Sequence, residues 1–271
     1  MTPCISQSCT LPAEFSEEVA AWAGAGWKSV ELWLTKLENY LEKSSVSHVR
    51  KMLGDHGIAI AAAAYQGGLL VSGGDARKAH YDHFKQRLEL CQALGIPTLL
   101  VAADFHRELS STDFTRTIES LKEAGQWAAG FNVKLGLEFR AGESVCTSLD
   151  TAARVVAACG EPNVGVVLDV FHYYKGPSKF EDLDLLTPQN LIHVQLCDLP
   201  GLPRELASDA ERILPGDGEL HLVPLCQKLK SLGYEGPVSL ELHNHIFWQS
   251  KPEQVAKLGI AAVKRILEPL V

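Results

Sequence analysis

Val133-Lys134-Leu135-Gly136-Leu137-Glu138 is the stretch on which the reading of this chain turns. Its apolar residues, 133, 135 and 137, share one parity, and Glu138 falls with Gly136 on the other. Successive side chains of a strand point to opposite faces, so Glu138 points away from the face that meets a covering helix. The pattern recurs in the next strands. In Asn163 to Asp169 the apolar face is Val164, Val166 and Leu168, and Asp169 falls with Gly165 and Val167. In Ile192 to Asp198, His193 and Gln195 oppose Ile192, Val194 and Leu196. In Pro237 to Asn244, Ser239, Glu241 and His243 oppose Val238, Leu240 and Leu242. If these strands are parallel neighbours, Glu138, Asp169, Gln195 and Glu241 converge. Buried acids that converge repel unless a cation or protons sit between them. The expectation is one divalent cation held by these residues. Carboxylates with an amide oxygen are hard ligands, which favours Mn²⁺, Mg²⁺ or Co²⁺, with Zn²⁺ as the further alternative.

Strand and helix alternate along the rest of the chain. Strands are expected at Cys4 to Cys9, Ser29 to Leu34, Ile58 to Ala64 and Thr98 to Ala103. Helices are expected at Ser16 to Gly24 (capped by Ser16), Lys36 to Gly54, Ala76 to Leu94, Thr112 to Ala129, Ser148 to Ala158, His221 to Leu232 and Pro252 to Leu267. A short helix is expected at Phe180 to Leu186, and a Gly-rich loop carries Gly67, Gly68, Gly73 and Gly74. Eight such units with no linker or repeat predict an α/β fold, a single (β/α)8 barrel domain over residues 1–271. An open doubly wound sheet is the runner-up, but it often shows a Gly-rich turn after its first strand, and none is present here.

Composition sets bounds on function. The chain has 271 residues, 46% hydrophobic and 21% charged, ordinary values for a globular protein. A net charge of -8 disfavours nonspecific nucleic-acid binding, which draws on counterion release by Lys and Arg. No apolar run is long enough to span a membrane. Met1-Thr2-Pro3-Cys4 does not open a secretory signal, so a cytoplasmic location is expected. Seven scattered Cys with no CxxC read as reduced thiols. Cys197 reads as a buried structural thiol rather than a nucleophile. The Gly216–Gly218 pair is weak as a phosphate motif, and no GxSxG is present.

Several stretches resemble the xylose-isomerase-like barrels: LGLEFR (135–140), VGVVLDVFHYY (164–174), IHVQLCD (192–198), RILPGDGEL (212–220) and VSLELHN (238–244). That family includes sugar isomerases, ketose 3-epimerases, hydroxypyruvate isomerases, inosose and dehydroshikimate dehydratases, and apurinic endonucleases. The resemblance implies metal ligands at Glu138, Asp169, Gln195 and Glu241, with Gln195 where many members carry His. It implies removal of a proton α to a carbonyl through an enediolate, with Glu138 and Glu241 as acid/base groups. A sugar or small hydroxy-ketone isomerase or epimerase is expected. A lyase such as 3-dehydroshikimate dehydratase is the alternative, favoured by the long segment between Gln195 and Glu241 with its extra stretch Pro200 to Glu211 and the PGDGEL turn. A small polyhydroxy carbonyl compound is the expected partner, with no nucleic acid or membrane; homo-oligomerisation stays open.

The resemblance also places His172, in the DxFH pattern, on a substrate hydroxyl or carbonyl oxygen. Arg212 either lies over the barrel mouth against substrate or is an ordinary solvated Arg. Glu31 and Trp33 share the interior parity and either line the substrate pocket or pack. Arg140 contacts substrate or neutralises acid charge. His193 is a supporting or core His. Asp198 supports the site or caps a helix. His243, His245 and Trp248 close the pocket or cap the last strand.

Overall fold

The structure is a computed structural model that describes residues 1–270. Its strands are β1 (Thr2–Ser6), β2 (Ser29–Trp33), β3 (Ala59–Gln66), β4 (Thr98–Ala102), β5 (Lys134–Glu138), β6 (Val164–Asp169), β7 (Leu191–Leu196) and β8 (Pro237–Leu240). The helices are α1 (Phe15–Ala25), α2 (Leu34–Leu41), α3 (Val46–Asp55), α4 (Gly74–Leu94), α5 (Ser111–Ala129), α6 (Leu149–Cys159), α7 (Val170–Lys175), α8 (Leu222–Ser231), α9 (His245–Trp248) and α10 (Pro252–Leu267). The strands follow one another in sequence order as a closed barrel, the expected (β/α)8 fold rather than an open sheet. Pairing is parallel, and β1 meets β8 with Thr2 opposite Pro237 and Ile5 opposite Leu240.

The chain packs as two compact units. One comprises Met1–Ala61 together with the chain from Val194 onward; the other is Ala62–His193. In the first, α1 packs on α10, and Trp27, fully buried, donates from Nε1 to the Ala256 carbonyl at 2.9 Å. A Cβ at Gly259 would stand 2.5 Å from Leu240 Cδ2, so a larger residue there would force the Leu240 side chain to shift. In the second unit the interior parity is kept small at Gly136. A Cβ there would come 2.5 Å from Val167 Cγ2, which explains why the stretch leading to Glu138 carries glycine.

Four local expectations are corrected. β1 ends at Ser6 rather than Cys9, because Ser6 Oγ accepts from the Ser8 amide and opens a 3-10 turn, Gln7–Thr10. α1 starts at Phe15 with Glu14 at its N-cap, two residues before the expected Ser16 cap. The single helix expected from Lys36 to Gly54 is two, because Ser45 caps α3 by accepting from the His48 amide. β8 ends at Leu240, so Glu241 and His243 lie beyond it. The short helix at Phe180–Leu185 is 3-10, and Ser148 caps α6.

All seven cysteines are free thiols and buried, as a reduced set would be. Burial pushes the Cys4 and Cys226 thiols up to about 12. Among the described residues no helix is long and apolar enough to cross a membrane.

Candidate functional site

In the unit Ala62–His193, Glu138 ends β5 and Asp169 ends β6. The chain turns at Asp169 directly into α7, because the Asp169 carboxylate caps that helix: Oδ1 accepts from the Phe171 amide at 2.8 Å. The helix places His172 one turn on. Its Nε2 lies 3.6 Å from both Glu138 Oε1 and Asp169 Oδ2. One ligand atom from each of the three residues lies within 4.8 Å of the others, and all three are buried. The grouping alone would suit a cation bound by all three. The imidazole tautomer argues otherwise. The Ala141 amide faces His172 Nδ1 at 3.4 Å, and an amide N–H can only donate. Nδ1 is therefore the accepting nitrogen and the ring proton sits on Nε2. That nitrogen is a donor, suited to an oxygen rather than to a metal. Arg140 stands over the Tyr65 ring, 5.9 Å from its centre, with Nε 4.0 Å from Glu138 Oε1. It thus faces the acid at the outer limit of an ion pair.

In the other unit, Glu31 lies on β2, Gln195 on β7 and Glu241 one residue beyond β8. Gln195 Nε2 donates to Glu241 Oε1 at 2.9 Å and to Glu31 Oε1 at 3.1 Å. Ser6 Oγ donates to the same Glu31 oxygen at 3.0 Å. Arg212 Nη1 donates to Glu241 Oε2 at 3.1 Å, while its Nε and Nη2 hold Asp209 Oδ1 at 2.9 and 2.7 Å. Arg212 is 1% exposed, which removes the solvated alternative. His243 Nε2 lies 3.4 Å from Glu241 Oε1, with its ring edge-on to Trp33. Burial pushes the Glu241 carboxyl up, and Arg212 and then His243 pull against it. Gln195 Oε1 is buried and has no hydrogen-bond partner among the described residues.

The turn after β7 explains why Arg212 is where it is. Asp198 accepts from the Leu199 and Leu220 amides through Oδ1 and from Gly216 through Oδ2, at 2.8–3.0 Å. It also forms an antiparallel bridge to Ile213. Asp198 is therefore the loop's organiser, not a helix cap. Asn244 Nδ2 donates to the Arg212 carbonyl and fixes the backbone from the other side. His193 is fully buried. His245 starts α9, where Asn244 is the cap, and Trp248 donates to the Ser8 carbonyl. Asp209 was not legible as a site residue: it sits on a one-turn 3-10 segment, Asp209–Glu211, with no strand parity to mark it.

The comparisons with known proteins agree with this architecture. The chain belongs to the xylose isomerase-like TIM barrel family, whose model matches residues 19–266. It is 30% identical over 178 residues to an inosose isomerase of Halalkalibacterium halodurans, covering 64% of this chain and 63% of that protein. It is 28% identical over 264 residues to a 3-dehydroshikimate dehydratase of Pseudomonas putida, covering 96% of this chain and 40% of that protein. The chain thus spans less than two thirds of the length of both relatives. A crystal structure of IolI protein with a binding zinc atom superposes with a TM-score of 0.94 at 20% identity, covering 100% of this chain and 99% of that one. A D-psicose 3-epimerase in the presence of D-fructose superposes with a TM-score of 0.80 at 20% identity, covering 98% and 99%. At such identities these likenesses speak for the fold.

Proposed function

We propose that this protein is a divalent-metal-dependent isomerase or epimerase of a sugar or small hydroxy-ketone. It works by abstracting a proton α to a carbonyl, through an enediolate. The observation that carries the metal is the buried Gln195 Oε1, an acceptor without a hydrogen-bond partner among the described residues, on an amide whose nitrogen spans two carboxylates. Such an oxygen fits a hard cation. The proposal assigns Glu138, Asp169, Gln195 and Glu241 to one such ion, on their strand-end positions. Mn²⁺, Mg²⁺ or Co²⁺ suits the oxygen donors, and Zn²⁺ is the alternative that the IolI structure brings in. When bound, the ion polarises the substrate carbonyl and offsets negative charge on its oxygen.

The protein groups do the rest. Glu138 and Glu241 take and return the proton. Burial raises Glu241, the direction a base working near neutrality requires, although a cation beside it acts in the opposite sense. His172 presents its Nε2–H to a substrate oxygen. Arg140 and Arg212 balance the acids, and Arg212 holds Glu241 in one orientation.

A lyase is the second reading. The match to 3-dehydroshikimate dehydratase, running over 96% of this chain, favours it. Proton abstraction is then followed by loss of water. Ketoses, inososes and 3-dehydroshikimate, each with Mn²⁺ in deuterated water, separate the two. Incorporation of deuterium with isomerised product supports the first reading. Water loss from 3-dehydroshikimate supports the second, and turnover only with added nicotinamide excludes both. Nucleic acid is not a proposed partner, given the net charge of -8.

A further inference from the structure

An amide that serves a cation has a right and a wrong way round. Its oxygen can ligate; its NH2 group repels a positive charge. Gln195 is 1% exposed, so solvent does not decide which end faces which way. Its neighbours do. Glu241 Oε1 lies at 2.9 Å and Glu31 Oε1 at 3.1 Å from one end of the amide. Ionised carboxylates only accept, so that end must be nitrogen; an oxygen there would meet two acceptor oxygens at contact distance. Glu241 is shared with Arg212 and His243. Glu31 is braced from its own side by Ser6 Oγ at 3.0 Å, and Ser6 in turn is fixed by the Ser8 amide.

We infer that Glu31 is a positioning residue: it fixes the Gln195 amide so that Oε1 is the atom offered to the cation. This inference rests on the proposed metal reading. It gives Glu31 a task other than lining the substrate pocket, and it explains how a glutamine serves where an imidazole would need no such orientation of oxygen against nitrogen. The action is by hydrogen-bond direction and passes only through residue 195.

Mn²⁺ titration calorimetry on the full chain tests it, with the wild type, Glu31→Gln, Glu31→Leu, Gln195→Ala and the Glu31→Leu/Gln195→Ala double variant. Glu31→Leu is expected to weaken Mn²⁺ binding by about 10–100-fold, the range for partners that orient metal ligands. Glu31→Gln retains an acceptor oxygen of the same reach and recovers most of that loss. In the Gln195→Ala background Glu31→Leu has no further effect, because nothing is left to orient. Thermal unfolding of the metal-free proteins separates this from a folding defect. If Glu31→Leu does not fold, the same cycle is run with Glu31→Ala, which also removes the acceptor and leaves room for water. Wild-type affinity in Glu31→Leu overturns the inference, as does an equal loss with and without Gln195. Absence of Mn²⁺ binding by the wild type overturns the proposed function itself, a distinct result.

Discussion

The two acid clusters are held in different ways. Facing Glu138 Oε1, His172 Nε2 stands at 3.6 Å and Arg140 Nε at 4.0 Å, the range of ion pairs. Around Gln195 and Glu241 the contacts are hydrogen bonds of 2.7–3.1 Å, in a chain running Ser6, Glu31, Gln195, Glu241, Arg212, Asp209. Groups locked by short hydrogen bonds are preorganised and lose little freedom when a ligand arrives. The second cluster is thus preorganised around Gln195 and Glu241. Substitutions in the two should separate accordingly.

The largest effect is expected where the clusters supply chemistry. Glu138→Gln and Glu241→Gln should each lower turnover by about 10²–10⁴-fold, the usual weight of a general acid or base. Steady-state kinetics checks this, and near wild-type turnover in either variant breaks the assignment of that acid. Next comes Arg212→Leu, which leaves a buried carboxylate at Glu241 without its cation. A loss of about 3 kcal/mol in unfolding free energy is expected, since removing one partner of a buried pair strands the other. Urea unfolding reads it; an unchanged midpoint would mean that the second cluster is not braced as described.

His172→Ala should lower turnover by about 10²-fold through lost orientation while leaving Mn²⁺ affinity unchanged. The reason is the Ala141 amide, which faces Nδ1 at 3.4 Å and so favours the tautomer with the ring proton on Nε2. A fall in Mn²⁺ affinity comparable to that of Asp169→Asn would place His172 among the ligands instead.

The smallest effect lies away from both clusters. Glu18 is buried and bound by Gln7 Nε2 at 2.7 Å, Thr10 Oγ1 at 2.8 Å and Lys36 Nζ at 2.8 Å. Burial pushes its carboxyl up to about 7 despite Lys36. A carboxyl whose folded pKa exceeds the unfolded one binds its proton more tightly in the folded state. Its contribution is therefore full below pH 4.5 and is lost as pH rises to about 7. Glu18→Gln should flatten that slope in urea midpoints measured from pH 4.5 to 7.5. A slope equal to wild type would show that Glu18 titrates at its ordinary value.

Much of the barrel was legible because its signal is periodic. Alternation in the sequence sets Glu138, Asp169, Gln195 and Glu241 on the parity opposite the apolar residues of their stretches. What escaped depends on contacts between residues far apart or on short local hydrogen bonds. The break at Ser45 is one side-chain cap within an otherwise helical pattern. The α7 turn, which buries His172, follows from Asp169 capping the residues after it. Sequence leaves Arg212 open between the barrel mouth and solvent, and only the fold of the loop around Asp198 buries it against Glu241. Asp209 meets Arg212 only three residues on, but from a 3-10 turn that no strand parity marks, and Glu31 reaches Gln195 across 164 residues of chain.

The proposed function rests on a single divalent cation, with Glu138, Asp169, Gln195 and Glu241 as its proposed ligands. An anomalous-scattering map from crystals grown with Mn²⁺, together with metal analysis of the purified protein, addresses it directly. One peak per chain in contact with these four side chains is expected, lost in the Glu138→Gln/Glu241→Gln double variant. A metal-free wild-type protein in saturating Mn²⁺, or a peak bound elsewhere, would contradict it.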